Sequence, residues 1–140
     1  MIIITGGSGF IGSNLVQALL AHGDRVVGVD NFNDFYDPAI KRDNVSVFQD
    51  NPNFTLVEAD ICDASAMCKA LDDAKPQAVM HLAASAGVRP SLERPAEYVR
   101  NNIEGTTVLL EAARSIADLR FVMASSSSVY GGCKEDPFRE

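Results

Sequence analysis

Gly6, Gly9 and Gly12 fall in the stretch Gly6-Gly7-Ser8-Gly9-Phe10-Ile11-Gly12, which satisfies G-x-x-G-x-x-G and, counted from Gly7, G-x-G-x-x-G. Such a loop makes a tight turn, lets a pyrophosphate approach the backbone closely, and aims the N–H groups of a following helix at its charge. Roughly twenty residues further on, where dinucleotide-binding folds place an acidic residue, stands Asp30. A carboxylate there accepts hydrogen bonds from an adenosine ribose and repels a 2'-phosphate. Asn31 follows it without an adjacent Arg to welcome that phosphate, so NAD is expected over NADP.

Further chain segments bring polar or small residues to the same kind of position. Asp60 and Ile61 end a third apolar run; Asp60 could bond an adenine amino group while Ile61 packs the ring, and Asp60 could equally cap the next helix. Leu82-Ala83-Ala84 ends a fourth run, and its two small residues would let a cofactor lie close. His81 reads as a satisfied strand residue rather than a catalyst. After a fifth run, Ala124-Ser125-Ser126-Ser127-Ser128-Val129-Tyr130-Gly131 delivers a row of hydroxyls.

The elements that must position these groups alternate. Ile2 to Ile4 form a β-branched run, then come the glycines, then Ile11, Leu15, Ala18 and Leu19 at helical spacing, with Gly23 to stop that helix. Val26-Val27-Gly28-Val29 completes a strand–helix–strand unit by Asp30. The pattern repeats with Phe54-Thr55-Leu56-Val57 as strand, Ala64 to Leu71 as helix and Ala78 to Leu82 as strand. One long helix is expected from about Pro95 to Ile116, followed by a strand over Leu119 to Ala124. Alternation of this kind predicts a Rossmann-type, doubly wound parallel sheet in an α/β/α sandwich, with strand order 3-2-1-4-5. The segments 31–38 and 85–95 are expected as long loops at the C-terminal ends of strands, where such folds bind ligands.

Composition bounds the function. The 140 residues suit one domain, here a nucleotide-binding one. A net charge of −7 and the lack of a basic stripe argue against nucleic acid as a partner. No apolar run reaches membrane-spanning length, and the start Met1-Ile2-Ile3-Ile4 reads as a strand rather than a leader. Cys62, Cys68 and Cys133 lack the C-x-x-C spacing of a metal or redox pair, so no metal is expected and reduced thiols of a cytoplasmic protein are.

On these residues the chain resembles the extended short-chain dehydrogenase/reductases, in the NAD-dependent epimerase/dehydratase branch, over essentially its full length. Thr5 to Gly12 matches the family's cofactor loop, Asp60-Ile61 its adenine contact, and His81-Leu82-Ala83-Ala84 the motif after the fourth strand. Asp30 to Asp37, Ala86-Gly87-Val88-Arg89 and Ala124 to Gly131 look most like UDP-glucuronate 4-epimerases, with UDP-glucose 4-epimerases close behind. The resemblance implies that Gly6, Gly9, Phe10, Ile11 and Gly12 hold the NAD pyrophosphate, Asp30 and Asn31 the ribose, and Asp60 and Ile61 the adenine. It places Leu82, Ala83, Ala84 and Asn101 along the nicotinamide half, and Arg89 and Ser128 against the sugar of a UDP-sugar. Ser126 matches the catalytic Ser at the sugar's 4-hydroxyl.

The family's Tyr-x-x-x-Lys pair has no counterpart in these residues. Tyr130 and Lys134 have the spacing, but Gly131 and Gly132 between them oppose a helix, and Tyr130 matches a Val-Tyr-Gly turn instead. The chain is therefore expected to be the front part of such an enzyme and inactive by itself. Related dehydratases and decarboxylases carry acids where Ser127 and Ser128 stand, which argues against both; they are the alternatives to an epimerase, as is a non-catalytic NAD-binding module. Self-association is expected through the fifth strand as an exposed edge, or through the helix containing Val99, Ile103, Val108 and Leu109.

Overall fold

A computed structural model describes residues 1–139. Its strands are β1 (Ile2–Thr5), β2 (Val26–Asp30), β3 (Phe54–Glu58), β4 (Ala78–His81) and β5 (Arg120–Met123). They pair in parallel in the order β3-β2-β1-β4-β5. Helices α1 (Phe10–His22), α2 (Pro38–Ser46) and α3 (Ala64–Ala74) carry the chain between successive strands. The expected doubly wound sheet is the one found.

Neighbouring strand residues point to opposite faces, and each face builds its own core. Ile3, Val27, Val29 and Val79 meet Met67 and Leu71 of α3 on one side, together with Leu109 from the helix before β5. Ile4 and Val26 meet Val16 of α1, Val45 of α2, Phe48 and Phe54 on the other. Full burial of side chains this size contributes about 1.5–3 kcal/mol each. The two cores clamp the sheet from both sides and fix the level of its C-terminal edge.

Three expectations need correction. Segment 85–95 is not all loop, because α4 (Val88–Glu93) forms within it and buries no side chain. The helix expected over 95–116 is broken into α5 (Pro95–Tyr98), a π-helical segment (Val99–Glu104) and α6 (Gly105–Ala113). Within α6, Leu109 is buried and Val108 packs against the core, so the uncovered residues of this region are Val99, Ile103 and Leu110. The expected loop over 31–38 leads directly into α2, which begins with Asp37 accepting from the Ala39 N–H at 2.9 Å and Pro38 at the first position.

Among the described residues, β5 pairs with β4 alone. Its Val122 and Met123 are about half exposed. No helix among the described residues is long and apolar enough to cross a membrane.

Candidate functional site

The C-terminal ends of β1, β2, β3 and β4 open into one pocket. It is lined by Gly6 and Gly9, by Asp30 and Asn31, by Asp60 and Ile61, and by Leu82, Ala83, Ala84 and Asn101. Residues from five separate segments of sequence, four at strand ends and Asn101 from the helical stretch before β5, are thereby brought together. Val29, Asn33, Phe35, Tyr36, Lys41 and Ala59 complete the lining; Asn33, Phe35 and Tyr36 belong to a stretch that carries the family resemblance, but none of the six had a site role assigned from sequence.

The glycine loop is fitted between β1 and α1. Gly6 adopts φ +69°, a conformation side chains disfavour, and a Cβ there would stand 2.9 Å from the Ala83 nitrogen. Gly12 faces the Gly6 carbonyl so closely that a Cβ on it would lie 2.0 Å from that oxygen. Gly9 caps α1 without a side chain to satisfy the first-turn N–H groups, which leaves them for an anion. Phe10 and Ile11 themselves are exposed, and neither they nor Gly12 line the pocket.

Asp30 is nearly inaccessible and organises the loops around it. One carboxylate oxygen accepts from the Ser8 N–H at 3.1 Å, and the other accepts from the Phe32 N–H at 2.9 Å. The Lys41 ammonium lies 3.5 Å from that second oxygen and donates to Asn33 Oδ1 at 2.8 Å. A cation therefore stands beside Asp30 after all, supplied by α2, eleven residues downstream.

Asp60 is not the cap of α3; that role belongs to Asp63, which accepts from the Ala66 N–H at 3.0 Å. Instead Asp60 accepts from the Cys62 N–H and from Arg100, each at 2.9 Å. Burial pushes its carboxyl up, but these donors outweigh that and hold it below the ordinary value. Burial and the Asp60 charge push the Cys62 thiol up to about 11, so Cys62 stays protonated near neutrality and is no nucleophile.

The π-helical segment turns two amides toward the loop after β4. Asn102 accepts from the Ser85 N–H at 2.8 Å and donates to the Ser85 carbonyl at 2.9 Å, while Asn101 donates to Ser85 Oγ at 2.8 Å. Widened turns of this kind recur at functional sites. Here the widened turn sets Asn101 in the pocket wall.

His81 is a structural bridge, as its strand position suggested. The Thr106 hydroxyl donates to the Asn102 carbonyl at 2.7 Å and so accepts from His81 Nε2–H at 2.9 Å. His81 Nδ1 is then an acceptor for the Thr5 hydroxyl at 2.7 Å, and Thr5 in turn accepts from the Ala83 N–H. Burial lowers the His81 pKa. An unfolded chain thus takes up the proton first, so stability falls as pH drops below about 6.5, the ordinary histidine value. Melting curves between pH 7.5 and 5.5 should show this loss, and His81→Gln should flatten it; an unchanged slope in that variant would rule His81 out as its source.

The Tyr36 hydroxyl is buried with no hydrogen-bond partner among the described residues. It lies 3.7 Å from where a Cβ on Gly9 would stand. Burial, with Asp30 second, raises its pKa, so it remains a donor. Leaving such a group unpaired costs about 1–3 kcal/mol. A ligand bearing acceptor oxygens over the glycine loop removes that cost, and the pocket's residues fit a dinucleotide pyrophosphate in this respect.

Ser126, Ser128 and Arg89 do not line this pocket. Ser126 starts a 3-10 turn (Ser127–Tyr130) and accepts from the Ser128 N–H at 3.3 Å. Both serines are exposed just beyond β5, and Arg89 lies in α4 beyond β4, so all three follow C-terminal strand ends.

Comparison with known proteins places this geometry. The family model described as GDP-mannose 4,6 dehydratase matches residues 3–140. UDP-glucuronate 4-epimerase 1 of Arabidopsis thaliana is 46% identical over 140 residues, which is 99% of this chain and 32% of that protein. A probable UDP-glucuronate 4-epimerase of Rhizobium meliloti is 40% identical over 138 residues, covering 99% of this chain and 40% of its own length. Among solved structures, UDP-glucuronic acid 4-epimerase from Bacillus cereus, in complex with UDP-glucuronic acid and NAD, superposes with a TM-score of 0.86. It is 40% identical, and the match covers 96% of this chain and 42% of that one. The chain thus spans between about a third and two fifths of the length of these relatives.

Proposed function

The chain belongs to the GDP-mannose 4,6-dehydratase family of NAD-dependent epimerases and dehydratases, and from that premise we propose that it is the NAD-binding part of a UDP-sugar 4-epimerase of the UDP-glucuronate or UDP-glucose type. One observation carries the reading: the glycine loop, Asp30, Asp60-Ile61 and Leu82-Ala83-Ala84 line a single pocket at the sheet's C-terminal edge.

In this reading residues 1–140 form one cofactor domain. Gly6, Gly9 and the first turn of α1, Phe10 to Gly12, offer backbone N–H groups to the pyrophosphate. Asp30 accepts from the adenosine ribose beside Asn31, and Ile61 packs the adenine beside Asp60. Leu82, Ala83, Ala84 and Asn101 receive the nicotinamide half. Bound NAD supplies a hydride acceptor for C4 of the sugar. Ser126 hydrogen-bonds the sugar's 4-hydroxyl, and Ser128 and Arg89 hold the sugar. The reduced thiols Cys62, Cys68 and Cys133, all free, suit a cytoplasmic protein. The chain self-associates through its β5 edge.

Removing the 4-hydroxyl proton needs a base, and Tyr130 with Lys134 does not supply one. The 3-10 turn stops at Tyr130 and Gly131 reverses the backbone at φ +56°, so no helix aligns the two side chains. The 140 residues alone should give no turnover of UDP-glucuronate or UDP-glucose. A longer chain that continues them with a Tyr-x-x-x-Lys segment should convert UDP-glucuronate to its C4 epimer, followed by NMR of the sugar. There Ser126→Ala should lower kcat by about 10²-fold or more. Turnover by the 140 residues that vanishes on Tyr130→Phe would overturn this reading, as would dehydration rather than epimerisation by the longer chain.

A further inference from the structure

One stretch of chain, from Tyr98 to Thr106, holds two separate turns of the sheet edge. Arg100 donates to Asp60 at 2.9 Å, and its own carbonyl accepts from the Cys62 thiol at 3.3 Å. Gly105 completes this contact, since a Cβ there would stand 2.5 Å from Ile61 Cδ1 and 3.3 Å from Cys62 Sγ. The turn Asp60-Ile61-Cys62 is thus gripped through one charged side chain, one carbonyl and one bare stretch of backbone. Each Asp60 oxygen has a single donor, Cys62 N–H or Arg100, and keeps a lone pair for a ligand.

The same stretch holds the turn after β4. Tyr98 donates to the Ala86 carbonyl, Asn101 donates to Ser85 Oγ, and Asn102 pairs with both the N–H and the carbonyl of Ser85. Its far end is anchored in turn, because the Thr106 hydroxyl joins the Asn102 carbonyl to His81 of β4. Arg100 and Asn101 are successive residues, so a displacement of one is felt by the other. Of all these bonds only the one from Arg100 to Asp60 joins two charges, and charge-assisted bonds are roughly twice as strong as neutral ones.

We infer that Arg100 is a positioning residue that couples the two turns, so that an adenine nucleotide engaging Asp60 and Ile61 also orders the turn at Ser85, which it does not reach. A donor from the ligand fixes the Asp60 carboxylate. The fixed carboxylate holds Arg100, whose half-exposed side chain otherwise exchanges Asp60 for water. Arg100 in turn steadies Asn101 and Asn102 against Ser85, and filling the adenine end prepares the end proposed for nicotinamide. Linkage makes the effect reciprocal, so removing Arg100 weakens the nucleotide and loosens Ser85 together. The inference deepens the proposed NAD site, since it takes the adenine to lie against Asp60 and Ile61.

NMR of the nitrogen-15-labelled chain, titrated with AMP, tests it, because AMP carries adenine, ribose and one phosphate but no nicotinamide. In the native chain AMP should shift the N–H signals of Ile61 and Cys62. It should also shift the Ser85 N–H and the Asn102 side-chain amide, neither of which lines the pocket. Arg100→Met keeps a long stem and removes the charge. It should retain the Ile61 response, lose those of Ser85 and Asn102, and weaken AMP by about two- to fivefold, the size expected of a half-exposed ion pair. Arg100→Lys should restore the lost responses in part. An Arg100 that merely supports the fold would change the melting temperature and leave the pattern of responses intact. Without nucleotide, the Ser85 N–H should exchange with solvent about two- to fivefold faster in Arg100→Met than in the native chain, which reads the coupling independently of binding. A native response confined to the Asp60 turn would overturn the inference. So would Ser85 and Asn102 responses that survive Arg100→Met, or Ser85 exchange that this variant leaves unchanged. No response to AMP anywhere, and none to NAD, would strike at the NAD site itself and take the inference with it.

Discussion

Gly12→Ala should abolish NAD binding and lower the melting temperature by about 10 °C or more, corresponding to roughly 3 kcal/mol or more for overpacking against backbone. The added methyl would stand 2.0 Å from the Gly6 oxygen, 2.8 Å from the Gly6 carbonyl carbon and 2.9 Å from the Gly7 Cα. None of these is the tip of a flexible side chain. Gly6 cannot retreat, since its own position is fixed against Ala83 and its carbonyl also accepts from the Gly9 N–H at 3.0 Å. The helix cannot retreat easily either, because Ser13 and Val16 on the same turn of α1 are buried. Gly132→Ala serves as the control, with nothing within 4 Å of its added carbon. Thermal melts and NAD titration of both variants decide the matter. A Gly12→Ala chain that melts like the native one and binds NAD would show that the loop is not packed as described.

The 140-residue chain should self-associate in solution. β5 offers the backbone N–H and C=O groups of its free side as a template for another strand. Exposed apolar residues add to the drive: in β5 Val122 is 49% exposed and Met123 54%, and in the helical stretch that precedes it Ile103 is 62% and Leu110 47%. Val122→Lys places a charge on the edge and should return the chain to monomer without changing nucleotide affinity. Light scattering across a concentration series reads the outcome. A clean monomer at high concentration, with a cooperative melt, would mean that the five-stranded unit needs no partner along β5.

The parts of this fold that were legible in sequence are those written in local patterns. β-branched runs followed at once by glycines or polar turns located every strand within a residue or two, and alternation with helices then set the sheet order. Most of the pocket lining followed, because residues at strand ends are carried to one edge whatever the helices do. The rest depends on contacts that no local pattern records. α2 has only Ile40 and Val45 as apolar markers, and its one readable signal was Asp37-Pro38, a cap and a first-position proline. Missing that helix meant missing Lys41, which reaches Asp30 only because α2 turns it inward. Asp60 was ambiguous because its partner Arg100 is forty residues away. The π-helical segment has no sequence period of its own, and within an apolar rhythm it reads as ordinary helix. The serine run after β5 was marked by its position, but the individual roles of Ser126, Ser128 and Arg89 came from resemblance, and their placement beside a substrate rests on the proposed function.

An NAD site at this sheet edge, with Asp30 against the ribose, is open to a direct test by isothermal titration of the purified chain with NAD and, separately, with NADP. NAD should bind saturably and one-to-one, with NADP weaker by about tenfold or more. No binding of NAD, or NADP binding as tightly as NAD, would contradict it.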